Sequence, residues 1–460
     1  MDEELAGKQP DNFVGGHAAV RLTDPQILGR LLRGKAREER IVRMGHTPGP
    51  RAVIIEKMLQ FEKVAPVGCT IQRSTITPMT GLPNSFMPRV LQLMLLLAGL
   101  TGAAPSAPVE VYRAGEGGYH TYRIPALILS SKGTLLAFCE GRRNSSSDTG
   151  DIDLLLRRSF DDGKTWQEVQ KLADFGEDTI GNPTPVVDRS TGTILLLLTS
   201  NPGKLTEAQI LRGASTRDRS VWIMRSRDDG ATWTQPEDIT ASTKRPEWTW
   251  YATGPGNGIQ LKSGRIVIPC DHNTRGAEEQ RYSHVIYSDD GGVTWKIGGD
   301  AEVKTNESAV VELKNGSLLL NMRSYHGRNR RAIQTSTDAG LKWSSFHFDE
   351  ALVEPVCQAS LITNEPQGRR SRGRLLFSNP ASTKRTRMTV RLSQDDGRTW
   401  PYERVIHEGP AAYSSLAMLR DRTIGLLYER GEKGPYESIT FTRFDLKWLK
   451  GGRAGGRNAD

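Results

Sequence analysis

Ser159-Phe-Asp-Asp-Gly-Lys-Thr-Trp166 is one copy of a pattern, Ser-x-Asp-x-Gly-x-Thr-Trp, that the chain carries five times. The other copies are Ser226–Trp233, Ser288–Trp295, Ser336–Trp343 and Ser393–Trp400; the fourth has Lys342 where the rest have Thr. Asp and Gly in such a box are turn residues. Gly supplies a positive φ, and the Asp carboxylate accepts hydrogen bonds from nearby backbone amides. Thr and Trp then lead back into a strand. The copies begin 67, 62, 48 and 57 residues apart. Self-similarity at such intervals marks a propeller or another array of blades.

Each box lies in the second hairpin of a unit whose first hairpin is apolar. Ala126–Phe138 precedes Leu154–Trp166, and Pro185–Thr199 precedes Val221–Trp233. Gly258–Pro269 precedes Val285–Trp295, Ala309–Leu320 precedes Ala332–Trp343, and Ala359–Phe377 precedes Met388–Trp400. A sixth unit, without a box, pairs Ser415–Tyr428 with Ile439–Leu449. First-hairpin turns are polar and bear Gly, as in Lys262-Ser-Gly264 and Lys314-Asn-Gly316. Second strands such as Ile194–Leu198 are almost wholly apolar, as strands buried on both faces must be. The pattern predicts an all-β fold, a six-bladed β-propeller of four-stranded antiparallel sheets with the boxes at the 3–4 turns. In a four-stranded meander the 1–2 and 3–4 turns share one end. The 2–3 turn and the link to the next blade share the other. The boxes are therefore expected to be structural and to face one end, with the chemistry at the opposite end.

The propeller is expected to occupy residues 108–460. Residues 87–107 read as a signal peptide: Arg89, an apolar core Val90–Leu100, then small residues, with cleavage expected in Ala103–Ala107. That core is shorter than the roughly 20 residues a spanning helix needs, so no membrane span is expected. The protein is expected to be secreted, periplasmic or extracellular. A signal peptide works from the start of a chain, so Met87 is expected to be the initiator. Residues 1–86, without repeats or strand periodicity, read as a disordered leader or a start-site artefact, with at most an amphipathic helix near Asp24–Met44.

The net charge is +9, from 62 Lys and Arg against 53 Asp and Glu; residues 1–107 hold 13 against 9. The remainder is mildly basic, which favours acidic substrates by steering. Basic runs interleaved with aromatics are absent, so nucleic acid is not an expected partner. Four cysteines (Cys69, Cys139, Cys270, Cys357) form no disulfide framework, and CxxC and HExxH spacings are missing. No metal or other cofactor is expected, and Cys139 and Cys270, at the ends of apolar strands, read as core thiols. A monomer is expected.

At the end opposite the boxes the topology collects Tyr122-Arg-Ile-Pro125, Glu140-Gly-Arg-Arg143, Asp148, Asp151, Asn306-Glu-Ser308, Asn321-Met-Arg323, Arg385, Arg387, Tyr413 and Tyr428-Glu-Arg430. Singly, each is an ordinary loop residue; together on one mouth they form a site. Arginines in a pocket bind carboxylate or phosphate through bidentate, charge-assisted bonds. Converging guanidiniums repel one another unless an acid or anion balances them, and Glu429 can do so.

Tyr122-Arg-Ile-Pro125 followed by boxes on six units resembles the exo-α-sialidases (neuraminidases) of the bacterial and animal type, over essentially all of residues 108–450. The resemblance implies that Arg123, Arg323 and Arg385 clamp the carboxylate of sialic acid, with Arg387 a nearby alternative for the third. It implies Tyr413 as nucleophile, Glu307 as its partner and Asp148 as acid/base. Asp151 and Asp153 lie near Asp148 but begin a strand. Arg142 resembles the arginine that contacts the sugar, and Glu429 the acid that holds the first clamp arginine. A sialylated glycoconjugate is the implied substrate.

These residue types suit the chemistry. The anomeric carbon of sialic acid bears a carboxylate, which would repel the carboxylate nucleophile other glycosidases use; sialidases use Tyr instead. A free Tyr, with a pKa of about 10, is a poor nucleophile at neutral pH. A Glu that takes its proton removes the difficulty. Trp248, Trp250, Tyr251 and Asp271-His-Asn273 also fall at this end, either shaping the pocket or packing. The sequons at Asn144, Asn306 and Asn315 read as unglycosylated, since two adjoin the implied catalytic residues; this suits a bacterial source. Rival readings are a trans-sialidase, a hydrolase of deaminated nonulosonic acid, or a non-catalytic sialoglycan-binding propeller. A lectin has no need of Tyr413, Glu307 and Asp148 together, which favours an enzyme.

Overall fold

The computed structural model describes residues 104–213, 218–274, 280–364 and 373–452. The leader, the apolar stretch 87–103 and Cys69 lie outside the described residues. The described residues are all-β, arranged as antiparallel meanders in chain order. The first is Thr121–Leu129, Leu135–Arg142, Ile152–Ser159 and Gln170–Ala173. The second is Thr179–Val187, Ile194–Asn201, Ser220–Ser226 and Glu237–Asp238. The third begins with Trp248–Thr253 and Ile259–Gln260, both paired to Ile266–Thr274, and adds Arg281–Ser288 and Lys296–Val303. The fourth is Thr305–Glu312, Leu318–Ser324, Arg330–Ser336 and His347–Val353. The fifth is Ser360–Thr363, Leu375–Pro380, Thr386–Ser393 and the first half of the long strand Tyr402–Met418. The second half of that strand opens the sixth, which continues with Ile424–Arg430 and Ser438–Phe444.

The end of the sixth meander corrects the sequence reading. Ile439–Leu449 is not a hairpin. Asp445 accepts a hydrogen bond from Trp448 N (2.6 Å) and caps a short helix, Leu446–Lys450. The fourth strand is instead Val109–Arg113, which pairs with Ser438–Phe444 from the other end of the chain. Ser106 extends this tie, its N donating to Arg443 O at 2.8 Å.

The apolar second strands are buried as expected, with Leu135–Cys139 and Ile194–Leu198 all at 0% exposure. Five core clusters each join two consecutive meanders. Phe138 and Leu154 of the first meet Leu196 and Leu198 of the second. Leu195 and Ile223 of the second meet Ile266 and Ile286 of the third. Val267 meets Val310 and Leu320, Val311 meets Leu361 and Phe377, and Val390 meets Leu426. A sixth cluster joins the last meander to the first, through Leu427 and Phe441 against Leu127, Leu135 and Cys139. At about 1.5–3 kcal/mol for each large apolar side chain buried, these seams are the main stabilising term.

The boxes hold the seams at one end. In the first, Ser159 Oγ bonds Asp161 Oδ1 and accepts from Gly163 N, both at 2.9 Å, while Thr165 donates to Asp161 through both N and Oγ1. Asp162 and Gly163 both have positive φ, and a Cβ on Gly163 would lie 2.1 Å from the Phe441 ring. Trp166 meets Phe441 edge-on at 5.6 Å, so the box of the first meander grips the sixth. The degenerate fourth box keeps the Lys342 N bond to Asp338 but has no hydroxyl for the second oxygen.

First strands of all six meanders line one cavity of about 530 Å³ near the box end, through Leu127, Val186, Ile259, Val311, Leu361 and Leu416 among others. Side chains satisfy the backbone there: Asn257 Nδ2 donates to Leu127 O at 2.9 Å and Leu416 O at 3.2 Å. That cavity is largely apolar, and the polar, charged groups collect in a smaller one at the opposite end.

Candidate active site

Five first strands share one irregularity. Their pairing register shifts between Arg123 and Ala126, Gly181 and Thr184, Trp248 and Tyr251, Thr305 and Ser308, and Ala411 and Ser414. Such a bulge leaves residues out of the ladder and re-aims their side chains. The residues so released include Ile124, Asn182, Trp250, Asn306, Glu307 and Tyr413, and every one lines the smaller cavity. Ile124 and Asn182 have φ of 61° and 52°, strained for the β-branched isoleucine but a region asparagine adopts readily. Second strands supply Arg142 and Arg323 from their site ends, and the 2–3 loops supply Asp148 and Arg385.

Tyr413 and Glu307 meet at the centre, with Tyr413 OH 2.5 Å from Glu307 Oε1. Arg323 Nη1 donates to Glu307 Oε2 at 2.6 Å and to Tyr413 OH at 3.2 Å. Burial, and then the Glu307 carboxylate, push the Tyr413 phenol well above its ordinary range against the opposing pull of Arg323 and Arg385. Glu429, fully buried, fixes the pair from behind: it accepts from Tyr413 N, Ile124 N and Arg123 Nε, each at 2.9 Å. One carboxylate thus orients both the clamp arginine and the backbone that carries the tyrosine.

Asp148 stands at the mouth, its side chain 61% exposed, with Oδ1 2.7 Å from Arg142 Nη1 and 3.4 Å from Arg123 Nη1. Burial of the group raises its proton affinity, but Arg142 and Arg123 outweigh this and hold the carboxyl below the usual range. Arg142 is itself braced by Glu140 Oε2 at 2.7 and 3.0 Å. Glu140 Oε1 also accepts from Asn182 N at 2.9 Å. Asp151 and Asp153 turn elsewhere. Arg143 pairs with Asp151 at 3.1 Å, and buried Asp153 takes Tyr119 OH at 2.6 Å and Arg143 at 2.7 Å. They brace the root of the Asp148 loop.

Of the two candidates for the third clamp arginine, Arg385 lines the cavity, whereas Arg387 is half exposed and pairs with Glu408 at 3.6 Å. All eight residues singled out, Tyr413, Glu307, Asp148, Arg123, Arg323, Arg385, Arg142 and Glu429, therefore meet at one place. The remaining candidates divide. Trp250 lines the cavity beneath the Arg219 guanidinium, 3.9 Å from its ring. Trp248 packs, stacked on His272 at 3.7 Å in the core. Asn306, buried with its amide 3.2 Å from Tyr325 OH, has no room for a glycan.

Tyr325, which the sequence places at this end without a role, lines the cavity; sequence reasoning missed Asn182, Glu207 and Arg219 of its wall, the bracing role of Glu140, and Tyr436 beside Arg385. Asn182 was findable. It opens the second meander where Arg123, Glu307 and Tyr413 open theirs, and comparing that position across repeats picks it out.

A family profile for the BNR repeat-like domain matches residues 133–428. The chain is 35% identical over 342 residues to a sialidase of Bacteroides fragilis, covering 70% of this chain and 62% of that protein. It is 35% identical over 353 residues to a sialidase of Micromonospora viridifaciens, covering 73% and 53%. The chain thus spans between half and two thirds of the length of these relatives. Among solved structures, the Hadza microbial sialidase Hz136 aligns with a TM-score of 0.68 at 33% identity, over 74% of this chain and 69% of that one. Matched by these sialidases at 35% identity over 70% or more of its own length, the chain belongs to the sialidase family.

Proposed function

We propose that the chain is a retaining exo-α-sialidase that releases terminal α-linked sialic acid from glycoconjugates, and that its six meanders are the blades of a six-bladed β-propeller. The propeller reading is supported by the sixth core cluster, which joins the last meander to the first. The catalytic reading rests on one observation: a buried tyrosine hydroxyl 2.5 Å from a carboxylate, beside three arginines.

The substrate carboxylate binds Arg123, Arg323 and Arg385 and sets the ring over Tyr413. Tyr413 oxygen attacks the anomeric carbon while Glu307 takes its proton, so a neutral group approaches the anionic centre. The bond to the aglycone breaks as Asp148 protonates the departing oxygen. Asp148 then deprotonates a water, which displaces Tyr413, and Glu307 returns the proton to the phenol oxygen. Two displacements at one carbon retain configuration. In the empty cavity Asp148 shares Arg123; a substrate carboxylate taking that arginine releases Asp148 toward the protonated form its role requires. The arginines hold the substrate carboxylate beside the positive charge that develops at the anomeric carbon in the oxocarbenium-like transition state.

The test is fluorophore release from an aryl α-sialoside by the full chain, with EDTA present, beside Tyr413→Phe. Release by the wild type and a loss of at least about 10²-fold in the variant are expected. A folded wild type that binds sialic acid without cleaving the sialoside would refute the proposal in favour of a lectin.

A further inference from the structure

We propose that Tyr436 is a positioning residue for the substrate carboxylate, a neutral brace that holds Arg123 and Arg385 at the spacing the carboxylate needs; this rests on the sialidase reading above. Tyr436 belongs to the turn between Ile424–Arg430 and Ser438–Phe444. That turn is built rigid. The Glu437 carboxylate accepts from three successive backbone amides, Glu432 N at 3.1 Å, Lys433 N at 2.7 Å and Gly434 N at 2.9 Å. Pro435 fixes φ immediately before Tyr436. The phenol ring, packed against the group formed by Ile124, Cys357 and Tyr413, lies 4.0 Å from the Arg123 guanidinium carbon. Its hydroxyl accepts a hydrogen bond from Arg385 Nη1. One side chain therefore touches two of the three clamp arginines.

The chemistry of the partners explains why a phenol stands there. Arg123 is paired with Glu429 and Arg323 with Glu307. Among the described residues, Arg385 has no carboxylate within ion-pair distance, and Tyr436 is the hydrogen-bond acceptor for its guanidinium. A carboxylate in place of Tyr436 would fix Arg385 equally well but would have to be displaced by the incoming substrate. A neutral oxygen orients the fork and leaves its charge uncompensated. The ring face orients Arg123, whose Nε and Nη2 face Glu429 and whose Nη1 faces Asp148. Preorganised in this way, the clamp loses little freedom on binding.

Tyr436→Phe keeps the ring over Arg123 and removes only the bond to Arg385; Tyr436→Ala removes both. The measurement is steady-state hydrolysis of an aryl α-sialoside, with calorimetric titration of free sialic acid and of its methyl ester, using the full chain. The carboxylate contact exists in ground and transition states alike, so it acts on KM and leaves kcat in place. For Tyr436→Phe, KM and the Kd for sialic acid should rise about tenfold, with kcat within about twofold. Affinity for the uncharged ester should be unchanged, and thermal stability should stay at the wild-type value. Tyr436→Ala should weaken the acid further. Wild-type KM and Kd in Tyr436→Phe would overturn the proposal, as would a fall in kcat at constant KM or an equal loss for the ester. A wild type that binds sialic acid without hydrolysing the sialoside would sink the sialidase reading, while the titrations alone still decide the role of Tyr436.

Discussion

Three carboxyl groups in and behind this cavity have quite different neighbours. Asp148 is held in its charged form by Arg142 and Arg123. Asp148→Ala removes the acid, so it should slow a sialoside with a poor leaving group by about 10²–10⁴-fold and an activated aryl sialoside far less. Comparing kcat/KM for the two substrates checks this. Glu429, wholly buried, is committed to two backbone amides and an arginine. Asp271 is the opposite case: buried, with neither oxygen hydrogen-bonded, its carboxyl is pushed up to about 8 by burial and then by Glu307, against Arg219 and Arg281. The folded state thus keeps its proton up to about pH 8, while the unfolded chain loses it near pH 4. Between these values the wild type loses stability as pH rises, and Asp271→Asn, which never ionises, does not. The stability gained by Asp271→Asn should therefore grow from pH 5 to pH 8, by on the order of 1 kcal/mol per pH unit, and then level off. Denaturant melts at several pH values measure it. At this scale the sequence disclosed which residues meet in the cavity, because tyrosine, carboxylates and arginines fell on links the topology sent to one end. It did not separate Arg385 from Arg387, which differ by two positions in a turn, and it gave no sign that Tyr436 reaches the clamp across the sixth meander.

The repeated elements divide the labour. Boxes close the 3–4 turns through a serine and an aspartate, and first-strand bulges at the other end present the site. The fourth box shows what the missing threonine does. In the third, Thr294 Oγ1 reaches Asp290 Oδ2 at 2.6 Å, whereas Lys342 donates only its backbone N to Asp338. Lys342→Thr should add that bond and raise stability by about 0.5–1 kcal/mol; Thr294→Val should lose a similar amount. Paired thermal melts check both. The boxes were plain in the sequence because turn chemistry needs Asp and Gly at fixed offsets. The bulges were not, because a register shift depends on the partner strand. The closing helix Leu446–Lys450 was misread as strand because its apolar residues alternate with polar ones over too short a run to separate the two periods.

At the largest scale the first and last strands of the described residues meet in one sheet, since Val109–Arg113 completes the meander that Ser438–Phe444 would otherwise leave with an open edge. Val111 and Tyr112, both almost fully buried, join the cluster linking the last meander to the first. A chain begun at Ala104 should keep this strand and the bonds of Ser106. One begun at Gly115 should lose about 2 kcal/mol for each of those side chains and melt roughly 5 °C lower. Equal melting temperatures for the two truncations would contradict that account. The strand was missed in the sequence because pairing between residues so far apart leaves no local mark.

The most direct test of the central claim is to label the full chain with a 3-fluorosialosyl fluoride and map the product by peptide mass spectrometry. The fluorine at C3 slows both displacements and the fluoride leaving group restores the first, so the covalent intermediate accumulates. The account predicts one sialosyl group per chain, on Tyr413, and none on Tyr413→Phe. An enzyme that turns over its substrate yet carries the label on Glu307 or another residue, or never carries it, would contradict the account.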